Sequence, residues 1–151
     1  MTAVDAAVFA THLLFAGLWS GSVLFTTYAV LPTALNGDTR AGPLSAITGK
    51  LTTVSRASAL LLFLTGGHLA ATRYTTESLT GSGRGYLVLT MILLWFVLAG
   101  LVEVATSKLS DGFDQKKVRE PARDARPFLL GASLVAVLLL VNAGAILGFY
   151  Y

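Results

Sequence analysis

Long apolar runs separated by short polar punctuation dominate this chain. The first runs from about Ala6 to Leu31 and meets Pro32, whose missing backbone donor predicts a helix end. The second has its apolar heart from Ala57 to Ala71. It reaches spanning length, 55–75, if Arg56 snorkels at one end and Thr72 to Tyr74 sit in the opposite interface. The third covers 86–107, and the fourth 128–150, behind Pro127. Each is near the ~20 residues that a helix needs to cross ~30 Å of hydrocarbon. Lipid offers nothing to an unpaired strand edge, so these runs predict helices. The expected fold is all-α: an antiparallel four-helix transmembrane bundle forming one domain over residues 1–151.

Loop chemistry falls between the runs. Asn36-Gly37-Asp38 and Gly42-Pro43 mark the first connection and Gly81-Ser82-Gly83 the second. Ser110 to Arg126, polar and of mixed charge, reads as the third. Leu44 to Thr53 reads either as loop or as an amphipathic extension of the second helix.

Composition agrees with a membrane chain. Hydrophobic residues make up 54% and charged ones 13%, against about 25% charged in a soluble domain, and this excludes an ordinary water-facing enzyme. The mean hydropathy is +0.71. With no cysteine, disulfides, thiolate zinc sites, iron–sulfur clusters and a cysteine nucleophile are excluded.

Arg40, Lys50, Arg56, Lys108, Lys116, Lys117, Arg119, Arg123 and Arg126 lie in or beside connections one and three, which is nine of the eleven basic residues. The positive-inside rule then puts these connections in the cytoplasm and both termini outside a cell membrane. Tyr74, Tyr86, Tyr150 and Tyr151 form an expected aromatic belt at the outer boundary. The first residues carry Asp5 and no basic start of a cleaved signal, so the first span is expected to be retained. Asp111, Asp114, Glu120 and Asp124 dilute the basic third connection, which predicts contact with anionic lipid heads and no nucleic-acid partner.

Both histidines fall inside spans, where ionisable groups are costly. At 1.5 Å rise per residue, His12 lies ~10 Å and His68 ~9–12 Å from the outer ends of antiparallel neighbours. Asn142 lies ~12 Å deep on the fourth helix, with Thr90 and Met91 slightly shallower on the third. These residues predict one polar layer. The functional reading is a haem or metal ion between the first two helices, with imidazoles of His12 and His68 as ligands and Met91 as a further metal ligand. Gly17, Gly21, Gly66 and Gly67 would leave room for it. The bland reading is interhelical hydrogen bonding, for which His, Asn and small residues are common in membranes. A proton pathway is the third. Cuprous copper prefers soft ligands, and Met91 is the only internal methionine, so copper would rest mainly on histidine. Trp19 shares the His12 face and, like Trp95, is expected to pack in the core. Glu103 reads either as part of an ion route or as a group reaching interfacial water.

The first helix, His12-Leu-Leu-Phe-Ala-Gly-Leu-Trp19-Ser-Gly21-Ser-Val-Leu-Phe25, resembles the opening helix of copper-resistance D (CopD) type membrane proteins. A related pattern opens the HemJ-type protoporphyrinogen oxidases, small helical membrane proteins that bind haem b. The likeness continues in Ser55-Arg56, Leu64-Thr65-Gly66 and Gly85 with the run from Leu87, and covers about the first 108 residues. Gly21 to Leu35 is also similar to a broader group of four-helix membrane proteins. The resemblance implies handling of haem b or copper, with roles for His12, Trp19 and Gly21. Leu89-Thr90-Met91-Ile92 stands where those families bear a lysine, so HemJ-type oxidoreductase activity stays open but without the lysine expected on the third helix. The implied partners are the bilayer, a redox partner or copper donor, and a second copy of the chain. Haem-linked electron transfer, CopD-type copper transport and a cofactor-free structural subunit remain the three expectations.

Overall fold

A computed structural model describes residues 2–148. The first helix, α1 (Ala3–Phe25), opens on a capping box: the Thr2 hydroxyl accepts from the Asp5 N–H while the Asp5 carboxylate accepts from the Thr2 N–H. The backbone does not stop at Pro32. A π-helical turn (Thr26–Val30) follows, and α2 (Leu31–Asn36) carries Pro32 in its first turn. The Leu31 N–H reaches back five residues to the Thr26 carbonyl. The wider turn shifts the hydrogen-bond ladder where proline would break it. The expected stop is therefore a bulge, and the helix ends at Gly37, whose φ of +74° is a left-handed cap.

The second long helix, α3 (Ala41–Arg73), takes in Leu44–Thr53, so that stretch is an extension of the helix. A short α4 (Thr76–Gly81) precedes α5 (Gly83–Asp114) and α6 (Arg119–Gly148). The expected third connection shrinks accordingly: between Ser110 and Arg126 only residues 115–118 lie outside α5 and α6. The reason is packing. Leu109, Phe113, Ala122 and Ala125 are buried, which leaves the charged residues on the outer face of two continuous helices. Pro127 lies inside α6 rather than at its start. Of the tyrosines expected to form a belt, Tyr150 and Tyr151 lie outside the described residues.

Contacts fix the direction of each helix. Trp19 meets Ser55 and His12 meets Thr65, so α1 and α3 are antiparallel. Trp95 on Ala59 and Glu103 on Arg56 set α5 against α3 in the same sense. Asn142 on the Leu87 carbonyl does so for α6 and α5, and Ser133 on Thr27 for α6 and the π turn. The helices form a closed ring with two buried layers. One gathers Trp19, Val23, Leu51, Leu62, Leu98, Val102 and Ala132. The other, nearer the 115–118 turn, gathers Leu31, Leu44, Ala105, Leu109, Phe113, Ala122 and Leu129.

Four helices are long and apolar enough to cross a membrane among the described residues. Their outer faces carry Leu14, Phe25, Leu134 and Val141, each more than 60% exposed. Such faces suit acyl chains rather than water. The protein is an all-α, multi-pass membrane four-helix bundle.

Close helix approach near the 115–118 turn depends on Gly112. A Cβ there would lie 2.2 Å from the Pro121 Cβ, at the base of α6. Gly112→Ala is expected to destabilise the bundle by about 1–3 kcal/mol through overpacking. A lowered thermal midpoint in detergent, with Gly144→Ala as the unhindered control, checks this.

Candidate functional site

A cavity of about 330 Å³ lies among all four long helices. Its walls are almost wholly apolar: Phe9, Leu13 and Ala16 of α1, Leu62, Phe63 and Leu69 of α3, Val88 and Ile92 of α5, Leu139 and Leu147 of α6. His12 stands out among these, with Met91 as the one thioether. Trp19 closes the cavity toward the buried layer around Val23 and Leu98, and is itself only 1% exposed. Arg73 and Tyr74, at the end of α3, line it at the opposite side, with the Arg73 guanidinium 5.5 Å from the centre of the Phe9 ring. Gly17 and Gly67 leave wall without side chains, and a Cβ at either would meet nothing within 4 Å.

The α1/α3 register determines what His12 faces. Its Nδ1 lies 2.8 Å from the Thr65 hydroxyl, and that hydroxyl lies 2.6 Å from the Leu61 carbonyl one turn back. A Cβ on Gly66 would sit 3.1 Å from His12 Cε1, so glycine at that position makes room for the ring. Among the described residues no hydrogen bond reaches His12 Nε2.

The expected meeting of two imidazoles does not occur in this arrangement. His68 is three residues beyond Thr65, ~4.5 Å further along α3. That places it beside the start of α1, where its Nε2 lies 3.5 Å from Asp5 Oδ1. Its side chain is 41% exposed and does not line the cavity. One turn along α3 suffices to give the two rings different partners.

The other expected site residues divide in the same way. Trp19, Gly66, Gly67 and Met91 share the cavity with His12. Gly21 does not line it, and Thr90 is exposed on the outer face of α5. Asn142 is buried but donates from Nδ2 to the Leu87 carbonyl at 2.9 Å, which is interhelical bonding. Trp95 lines the cavity and donates to the Ala59 carbonyl at 3.2 Å, its ring 5.6 Å from that of Phe63. Glu103 is remote from it. The carboxylate takes both nitrogens of Arg56, Nε at 3.3 Å and a closer Nη2, with both side chains more than half exposed. That pair fits the interface, where water can reach it.

Thr65, Arg73 and Tyr74 belong to the site and were not singled out from the sequence as site residues. Thr65 had a signal: a hydroxyl in an apolar run, three residues before His68. No group of three or more His, Cys, Asp or Glu able to hold a metal ion occurs among the described residues. Comparison of the chain with protein-family models, curated proteins and solved structures finds no match.

Trp19 owes its position to a buried bond, Nε1 to Ser55 Oγ at 2.8 Å. A double-mutant cycle of Trp19→Phe and Ser55→Ala is expected to give a coupling of about 0.6–2 kcal/mol in a stability assay, the range for polar contacts between membrane helices.

Proposed function

We propose that this protein holds haem b in the His12 cavity and serves electron transfer within the membrane. The observation that carries this reading is one imidazole in the wall of an almost wholly apolar cavity built by four helices. Ligand pockets are typically ~300–1,000 Å³, apolar, with a few placed polar groups. The donor set suits a metal that brings most of its own ligands. Zinc-type sites take three or four protein donors, and here one imidazole and one thioether share the space. A porphyrin iron needs one or two. His12 would supply an axial nitrogen, apolar walls would cover the macrocycle, and Arg73 would face carboxylate side groups from the end of α3. Haem supplies one-electron chemistry when bound, and the dry cavity would tune its potential.

The reading narrows from two histidines to one, because His68 is engaged by Asp5. Copper handling is the second reading, favoured by Met91 in the same cavity as His12. The resemblance of the first helix to CopD- and HemJ-type proteins supports either. For topology we propose the termini outside and the 115–118 turn in the cytoplasm of a cell membrane, on the strength of the basic residues gathered beside that turn.

Detergent-purified protein is expected to show a Soret band that His12→Ala abolishes and His68→Ala preserves. A colourless protein carrying copper that Met91→Leu releases would establish the copper reading instead. Neither signal would leave a cofactor-free subunit.

Absence of cysteine makes topology directly testable. In intact cells, Ser82→Cys should react with a membrane-impermeant maleimide and Gln115→Cys only after lysis. The reverse pattern would invert the topology.

A further inference from the structure

We propose that Thr65 is a positioning residue: its hydroxyl holds His12 with the proton on Nδ1 and turns a bare Nε2 lone pair to the bound group. The argument is a count of protons. A threonine hydroxyl has one to donate, and a carbonyl has none. The 2.6 Å contact between Thr65 Oγ1 and the Leu61 carbonyl therefore uses the hydroxyl proton. A second contact, to the Leu62 carbonyl, is longer at 3.5 Å. Toward His12 Nδ1, at 2.8 Å, Oγ1 is left as acceptor, so the ring must supply the N–H. A neutral imidazole has one N–H, and Nε2 is then unprotonated.

Neighbouring groups leave this arrangement uncontested. The carboxylate of Asp5 is engaged by Thr2 and lies beside His68, not His12. Gly66 provides the clearance that lets the ring approach its neighbour Thr65. Ligating histidines typically donate their second nitrogen to an acceptor that fixes tautomer and orientation, and loss of that acceptor costs about 10–100-fold in affinity. Thr65 meets this description, although its own proton is spent within α3.

The tautomer stands on the hydrogen bonds alone, whereas its use in ligation rests on the haem reading. Two measurements on the full chain in detergent separate them. With ¹⁵N-histidine and His68→Gln to remove the second ring, His12 should show an N–H signal at Nδ1 and a lone-pair signal at Nε2. Thr65→Val should move the proton toward Nε2, and Thr65→Ser, which keeps the hydroxyl, should restore it. In haemin titrations Thr65→Val should weaken binding by about 10–100-fold, with Thr65→Ser recovering most of the loss.

A proton on Nε2 in the parent protein, or a nitrogen pattern that Thr65→Val leaves unchanged, overturns the assignment. So does haemin binding that is equally tight in Thr65→Val and parent, an outcome that leaves the haem reading intact. A nitrogen pattern that follows the hydroxyl while haemin binds no variant sustains the tautomer control and removes the haem reading.

Discussion

Hydrocarbon contains no water to bond a stray donor, so polar groups inside this bundle mostly find partners within the chain, the buried Ser58 hydroxyl being an exception. That constraint gives the helices their register. Apolar packing alone cannot, because a leucine is as comfortable against an acyl chain as against another leucine. The fixing contacts are few and directional: Trp19 on Ser55 and His12 on Thr65 between α1 and α3, Ser133 on Thr27 between α6 and the π turn, Asn142 on the Leu87 carbonyl between α6 and α5. Each side chain would lose its partner if its helix slid by one turn. Thr27 shows the economy of the scheme: its hydroxyl lies 2.8 Å from the Val23 carbonyl and accepts from Ser133, so one oxygen serves two helices.

The two ends of the bundle use this framework differently. Toward the 115–118 turn, Ala105, Ala122 and Ala125 are fully buried and Gly112 lies against Pro121, so α5 and α6 approach closely. The Arg119 guanidinium bonds the Asn36 carbonyl at 2.8 Å and ties the end of α2 to the start of α6. Toward the termini the glycines do the opposite. Gly17 and Gly67 face open space, and large aromatic rings border the cavity instead of filling it. Trp19 is the boundary, buried against the core on one side and lining the cavity on the other. The closely packed half anchors the same helices that carry His12 and Met91 to the cavity.

Four spans, their class and the chemistry of the lipid-facing surfaces were legible because apolar runs of this length have one physical solution in a bilayer. Helix ends were not. Pro32 and Pro127 read as boundaries, yet a π turn absorbs the first and α6 continues through the second. Ser110–Arg126 read as a polar loop because its charges mask the buried Phe113, Ala122 and Ala125. Of the cavity residues, depth grouped His12 with Met91, shared face gave Trp19, and the need for room gave Gly66 and Gly67. Depth is one coordinate, however, and the azimuth around each helix decides which groups meet. Thr90 and Met91 are adjacent in sequence and share a depth, but Thr90 is exposed and Met91 lines the cavity.

The same limitation explains the histidines, and their partners explain why the two rings are not equivalent. His68 stands beside a carboxylate that also caps α1, in a spot 41% exposed at the rim of the bundle. This contact ties the start of α1 to α3. His12 stands beside a hydroxyl whose proton is already given to a carbonyl. Such a hydroxyl can only accept, and an acceptor on Nδ1 frees the lone pair of Nε2. Two residues of one type, one turn apart in level, thus have different partners. Of the two rings, His12 combines a hydroxyl partner on Nδ1 with a cavity to face, whereas His68 does not line the cavity.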